Sequence, residues 1–240
     1  MNGTELINWI QSNHVEDWPV FVKTSENDCM TVNNIRKGEI KGGAIVLECD
    51  VDSEKQVRIH KEIADILSEV NKEKDSILAG VKLRPGEERT LVEIRRRYWA
   101  YLVRCLNKYH GPEGPYKKIN TSKSCYLFSS VGIGNFAIVC EAKKKSAAVE
   151  VVLKKPDRAV NMSAFKYLMV REQLIRKALG TSVLWWAEDK WTYCYIHLGY
   201  KGVADVTQED TWEDMAAFHM EWSRKFYDVF VPLLKEWQAG

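Results

Sequence analysis

Residues 125–154 read CYLFSSVGIGNFAIVCEAKKKSAAVEVVLK, and the parsing of this stretch decides the fold. It holds three apolar runs of strand length: Cys125 to Val131, Asn135 to Cys140 and Ala147 to Leu153. Gly132-Ile133-Gly134 separates the first two, and Lys143-Lys144-Lys145-Ser146 precedes the third. Apolar runs this short, bounded by turn residues, indicate strands. Both separators are short enough for tight antiparallel connections. The expectation is a three-stranded meander with Glu150 in the middle of its last strand.

The flanks on either side of the meander read as helical. Thr90 with Glu93 forms a capping-box pattern. Leu91, Ile94, Tyr98, Leu102, Cys105 and Tyr109 then share one helical stripe, which Gly111-Pro112-Glu113-Gly114-Pro115 stops. Downstream, Phe165, Leu168, Met169, Glu172, Ile175 and Leu179 mark a single helix ended by Gly180. Val183 to Trp186 and Trp191 to Leu198 form a hairpin around Glu188-Asp189-Lys190. Thr207 with Asp210 opens a long closing helix through Met215, Phe218, Trp222, Phe226, Val229, Leu233 and Trp237. Pro232 is expected to kink that helix or end it early.

The class is therefore α+β: helix, three-stranded antiparallel meander, helix, two-stranded hairpin and long C-terminal helix, preceded by a small α/β unit. In that front unit Thr4 caps a short helix bearing Leu6, Ile7, Trp9 and Ile10. Strands are expected at Trp18 to Val22, Met30 to Ile35 and Ala44 to Leu47, then a helix over Lys55 to Leu78. Arg84-Pro85-Gly86 interrupts any helix, so the boundary is placed at Gly80 to Glu88, dividing the chain into 1–82 and 88–240.

At 240 residues, 45% hydrophobic and 28% charged, the chain has an ordinary globular composition. No run approaches the ~20 apolar residues of a membrane helix, and the start shows no secretory signal. The six cysteines lack C-x-x-C spacing and mostly sit in apolar runs, so they read as reduced core thiols of a cytoplasmic protein. Net charge is only +2, but its distribution is uneven. Lys108 to Lys166 carries eleven Lys/Arg against four Asp/Glu, and Ala187 to Gly240 carries five against ten. A basic face and an acidic face are expected.

The order helix, three strands, helix, strand resembles the core of the restriction-endonuclease-like fold. Such a nuclease carries an acid on its second strand and a Glu-x-Lys pair on its third. Here Glu150 stands on the third strand, with Val152 at the lysine position. A carboxylate inside an apolar strand is costly unless paired or ligating. As a nuclease residue Glu150 would ligate Mg²⁺; as a structural one it would pair with a Lys or Arg. Lys154 shares its strand face. Glu141-Ala142-Lys143 is a literal Glu-x-Lys, but on the second strand, where it reads as a solvated strand end. The candidate catalytic set is Glu150, Glu141, Lys143 and Lys154.

Lys143, Lys144 and Lys145, with Lys154, Lys155 and Arg158, could flank one end of the sheet and meet phosphates. Six such contacts to duplex DNA would give a log–log salt slope of about −5. Trp191, Tyr193 and Tyr195 alternate onto one sheet face, where they either stack on bases or, as favoured, form core beneath the closing helix. The five histidines show no nucleophile–base spacing, and His219 reads as a hydrogen-bonded core residue.

Val131-Gly132-Ile133-Gly134, Val149-Glu150-Val151, Phe165, Gly180, Trp185-Trp186 and Ile196, in this order, resemble an uncharacterised domain of about 140 residues found in bacteria, archaea and their viruses. The resemblance runs from about Glu88 to Trp237. It implies a nucleic-acid or defence-related neighbourhood, since such domains often follow nuclease-like partners. Cys194-Tyr195-Ile196 stands where many members carry a Ser-Arg-Ile-like strand, so an arginine is missing from any anion site carried over.

The leading expectation is association with DNA or RNA through a catalytically degenerate nuclease fold, with no cofactor. Two alternatives stay open. One is a protein-interaction adaptor, as a homodimer or with another partner and without catalysis. The other is an active Mg²⁺-dependent nuclease using Glu150 and Glu141 with a lysine.

Overall fold

The computed structural model describes residues 20–23, 34–41, 44–50, 53–81, 90–111, 114–117, 119 and 121–239. The chain forms two compact units, 1–59 and 60–240. In the first, β1 (Val20–Lys23) pairs in parallel with β3 (Ala44–Asp50), and β2 (Asn34–Lys41) pairs antiparallel with β3. The ladder of β2 shifts register between Ile35 and Lys37. The expected helix at Thr4 to Ile10 lies outside the described residues.

Helix α1 (Ser53–Ala79) begins in the first unit and runs on into the second. The units part between Ile59 and His60, well ahead of the boundary read at Gly80 to Glu88. The reason is packing. Ile63, Leu67 and Val70 are buried, and Asn71 Oδ1 accepts from the Tyr101 hydroxyl at 2.9 Å. Glu73 pairs with Arg104 and Glu69 with Lys108, both on α2 (Leu91–His110). The break read at Arg84-Pro85-Gly86 lies outside the described residues.

Of the expected capping box, the N-cap bond opens α2: the Thr90 hydroxyl accepts from the Glu93 amide at 3.3 Å. The meander follows as β4 (Tyr126–Ser130), β5 (Phe136–Ala142) and β6 (Ala147–Leu153). Gly132 and Asn135 turn the chain at φ of 74° and 64°, a backbone region that Gly and Asn adopt most readily. Asn135 is thus a turn residue just ahead of β5.

One helix was expected between Phe165 and Leu179; two are present, α3 (Arg158–Met169) and α4 (Glu172–Leu179). The join contains neither Gly nor Pro. Instead the Arg171 amide bonds the Leu168 carbonyl at 2.9 Å, an over-tight turn. The Arg171 guanidinium donates to the Tyr167 carbonyl at 3.0 Å and stacks 3.6 Å over the Tyr167 ring. Side-chain capping of a carbonyl and a cation–π contact together hold the break.

β7 (Leu184–Trp186) and β8 (Cys194–Gly199) complete a five-stranded sheet of order β4-β5-β6-β8-β7. Every neighbouring pair is antiparallel, so β6 and β7 run parallel with β8 inserted between them. A short 3₁₀ turn (Glu209–Thr211) leads into α5 (Trp212–Ala239). Pro232 neither ends nor shortens α5. Both Pro232 and Asp228, whose carbonyl loses its amide partner, are exposed, so water can satisfy that carbonyl.

The strand registers sort side chains onto two faces. The first face carries Leu127, Ser129, Phe136, Ile138, Cys140, Val149, Val151, Leu153, Cys194, Ile196 and Leu198, all buried. It receives the helices: Phe136 meets Trp237 of α5, Trp185 meets Phe165 of α3, and Cys194 Sγ lies 3.5 Å from Met162 Sδ. His219 of α5 is wholly buried there between Tyr98 and the backbone of β5. The second face carries Tyr126, Phe128, Ser130, Ala137, Val139, Glu141, Ala148, Glu150, Val152, Tyr195, His197, Gly199, Leu184 and Trp186. Its interior is buried as well, with Ala137, Val139, Ala148 and Val152 at most 3% exposed, while Phe128, Leu184 and Trp186 at its edges are exposed.

Candidate functional site

The second face is floored by small side chains and rimmed by large ones. Ala137, Val139 and Val152 form the floor, and Tyr126 from β4 and Tyr195 from β8 lean over them. Phe128 and Trp186, at opposite edges, each keep 43% of their surface exposed. Trp186, Trp191 and Tyr195 cluster with ring centroids 4.8–6.2 Å apart. The closing helix therefore does not cover Trp191, Tyr193 and Tyr195, as had been expected. The strand begins only at Cys194, and the register turns Cys194, Ile196 and Leu198 toward the helices and Tyr195 away.

All four candidate catalytic residues fall on this face, or continue its alternation just beyond a strand end. Glu150 sits on the central strand of the sheet, 8% exposed. Its partner is neither lysine nor arginine but His197, directly opposite on β8, with Nδ1 2.8 Å from Oε1. Glu141 is 5% exposed and is no solvated strand end, because β5 continues through Ala142. Its Oε2 lies 2.6 Å from Lys143 Nζ, and its Oε1 accepts from the Ser146 hydroxyl at 3.2 Å. Burial weighs on the Lys143 ammonium, but the hydrogen bond and charge of Glu141 outweigh it and hold Lys143 above the ordinary lysine value. Burial, with the charge of Glu150 behind it, pushes the Tyr195 phenol up.

Lys143 also lies 5.4 Å from the Tyr126 ring centroid, and Lys154 lies 4.4 Å from that of Phe128. The six basic candidates do not flank one end of the sheet. Lys143, Lys144 and Lys145 occupy the β5–β6 turn, whereas Lys154, Lys155 and Arg158 follow the far end of β6. A seven-residue strand separates the two groups by roughly 20 Å. Arg158 is engaged in the fold, donating to the Trp191 carbonyl at 2.8 Å and to Asp189 Oδ1 at 3.0 Å. Lys155 reaches over the Phe136 ring.

The donor set does not suit a divalent metal. Both Glu141 oxygens and one Glu150 oxygen already accept from donors, and the described residues contain no group of three metal-ligating side chains. His197 is the functional candidate that sequence reading missed. It lies 47 residues from Glu150, so only the β6–β8 register brings the two together.

Residues 94–234 match a family model described as a domain of unknown function, DUF4268. The chain belongs to that family. The match covers α2 from Ile94, the whole five-stranded sheet and α5 as far as Leu234, so the second face lies entirely within the DUF4268 domain. No curated protein and no solved structure matches the chain. No helix among the described residues is long and apolar enough to cross a membrane.

Proposed function

We propose that this chain binds single-stranded nucleic acid across the second face of its five-stranded sheet. The observation carrying this reading is the pairing of exposed rings with lysines at the two ends of one face: Phe128 beneath Lys154, and Tyr126 beside Lys143. Rings accept unpaired bases by stacking, each worth about 1–3 kcal/mol, and lysines meet the phosphates between them. The Trp186, Trp191 and Tyr195 cluster extends the stacking surface toward β7. A duplex, whose bases are already stacked, has no use for such a platform.

The scaffold reads as a nuclease-like order of helix, three strands, helix and strand that lacks a Glu-x-Lys on its third strand, since Val152 follows Glu150 on the same face. The adaptor alternative draws on the separate front unit, the incomplete catalytic set and the acidic charge of the closing helix. That charge is largely met inside the domain: Glu221 pairs with Lys225, Asp228 with Arg224, and Glu236 with Arg171.

Fluorescence anisotropy with labelled 12-nucleotide single strands at low salt tests the proposal. Phe128→Ala and Trp186→Ala should each weaken binding ~5- to 150-fold, the equivalent of one lost stack. With two or three phosphates engaged, the log–log salt slope should be about −2, instead of the −5 expected for six lysines on a duplex. Absence of binding at low salt, or binding indifferent to both ring substitutions, rules the reading out.

A further inference from the structure

The second face holds an imidazole with one nitrogen uncommitted. A carboxylate accepts hydrogen bonds and does not donate them, so the proton between Glu150 Oε1 and His197 Nδ1 belongs to Nδ1. Nε2 is then the lone-pair nitrogen. Among the described residues none hydrogen-bonds it, and the His197 side chain is 29% exposed. It lies beside Gly199, where even a Cβ would come to 3.4 Å from Nε2. The missing side chain keeps the approach to that nitrogen clear.

The geometry is also fixed. Glu150 and His197 are opposed residues on two adjacent inner strands, so both side chains are held by a ladder that continues on either side. A carboxylate that sets the tautomer and aims the ring is what a general-base histidine requires.

We infer that His197 is a general base that cleaves RNA, an inference that rests on the single-strand reading above and narrows it to ribonucleotides. With a strand across the face, Nε2 takes the proton of a 2′-hydroxyl. The 2′ oxygen attacks the adjacent phosphorus and forms a bond to it while the bond from phosphorus to the 5′ oxygen breaks. The departing oxygen takes a proton from water, and the resulting hydroxide removes the proton carried by His197. The products are a 2′,3′-cyclic phosphate and a 5′-hydroxyl end. No electron changes hands and no metal is required. DNA lacks the nucleophile and is bound uncut. Glu150 is the positioning residue of this pair.

The test incubates the full chain in EDTA with a labelled RNA 12-mer and its all-deoxy counterpart, beside His197→Asn and His197→Gln purified identically. Binding of both oligonucleotides is measured in parallel. The expected result is RNA cleavage ending in a cyclic phosphate, intact DNA, and a loss of ~10²- to 10⁴-fold in both variants with binding retained. Wild-type cleavage no faster than that of the variants, with binding intact, overturns the inference and leaves the binding reading standing. Equal cleavage of DNA overturns it as well. No binding of either strand sinks both.

A KM-against-kcat split separates positioning from mere structure. The ionisable groups on the strands around His197 are Glu150 on β6, Tyr195 on β8, Tyr126 on β4, and Glu141 with Lys143 at the end of β5. Of these only Glu150 bonds the ring. Glu150→Gln should lower kcat with KM unchanged, and an unmoved kcat counts against the pair.

Discussion

His219 lies wholly buried, with the Tyr98 hydroxyl 2.8 Å from Nδ1 and the Glu141 carbonyl 3.0 Å from Nε2. A carbonyl only accepts, so Nε2 carries the proton and Nδ1 accepts from Tyr98. Tyr98→Phe would strand a buried acceptor and should cost ~1–3 kcal/mol in a urea melt. Burial pushes both His219 and His110 down to about 4, against an ordinary value of 6.5. A folded value below the unfolded one means the unfolded chain binds more protons between the two. The resulting stability is complete above pH ~6.5 and drains away as pH falls toward 4. Each ring contributes on the order of 3 kcal/mol. Melts at pH 7 and pH 5 should show a marked fall that His110→Gln reduces. Asn161, equally buried, bonds the Lys155 amide and the carbonyls of Lys155 and Thr192. Asn161→Ala frees all three backbone groups, so a loss of ~3 kcal/mol or more is expected.

Helices and strands differ in how openly the chain announces them. Each strand of the meander is a short apolar run closed by turn residues, and its bounds shift by one or two positions at most between sequence and structure. The break between α3 and α4 carries no such mark, because Arg171 acts on a residue four positions back through its side chain. Pro232 misleads in the opposite direction: α5 does not end early there but runs on to Ala239. Pro232→Ala restores an amide to α5, and with the helix already formed it should stabilise by about 1 kcal/mol or more, read as a rise in Tm. Asp157 Oδ1 accepts from the Ala159 amide at 2.7 Å at the start of α3, and Asp157→Ala should cost ~1 kcal/mol. The candidate site was legible only one strand at a time. Glu150, Glu141, Lys143 and Lys154 could be picked out by charge in apolar surroundings, but their common face, and the arrival of His197 beside Glu150, depend on pairing between segments far apart in the chain.

For the molecule as a whole, most of α1 falls in the same compact unit as the residues of the DUF4268 match. A fragment beginning at residue 88, where the sequence breaks, would lose Ile63, Leu67 and Val70 from the interior and strand the partners of Glu73 and Asn71. It should melt several degrees below a fragment beginning at residue 53 and self-associate in light scattering. The insertion of β8 between β6 and β7 also governs what a ribosome releases. When Leu153 emerges, one edge of β6 has no neighbour, and its ladder stays open until Cys194 to Gly199 have been synthesised. At ~5–20 residues per second that wait lasts a few seconds. Throughout it a bare apolar strand is presented to every other nascent chain nearby, so yield in the cell should depend on translation speed and chaperone supply more steeply than the finished domain's stability would suggest.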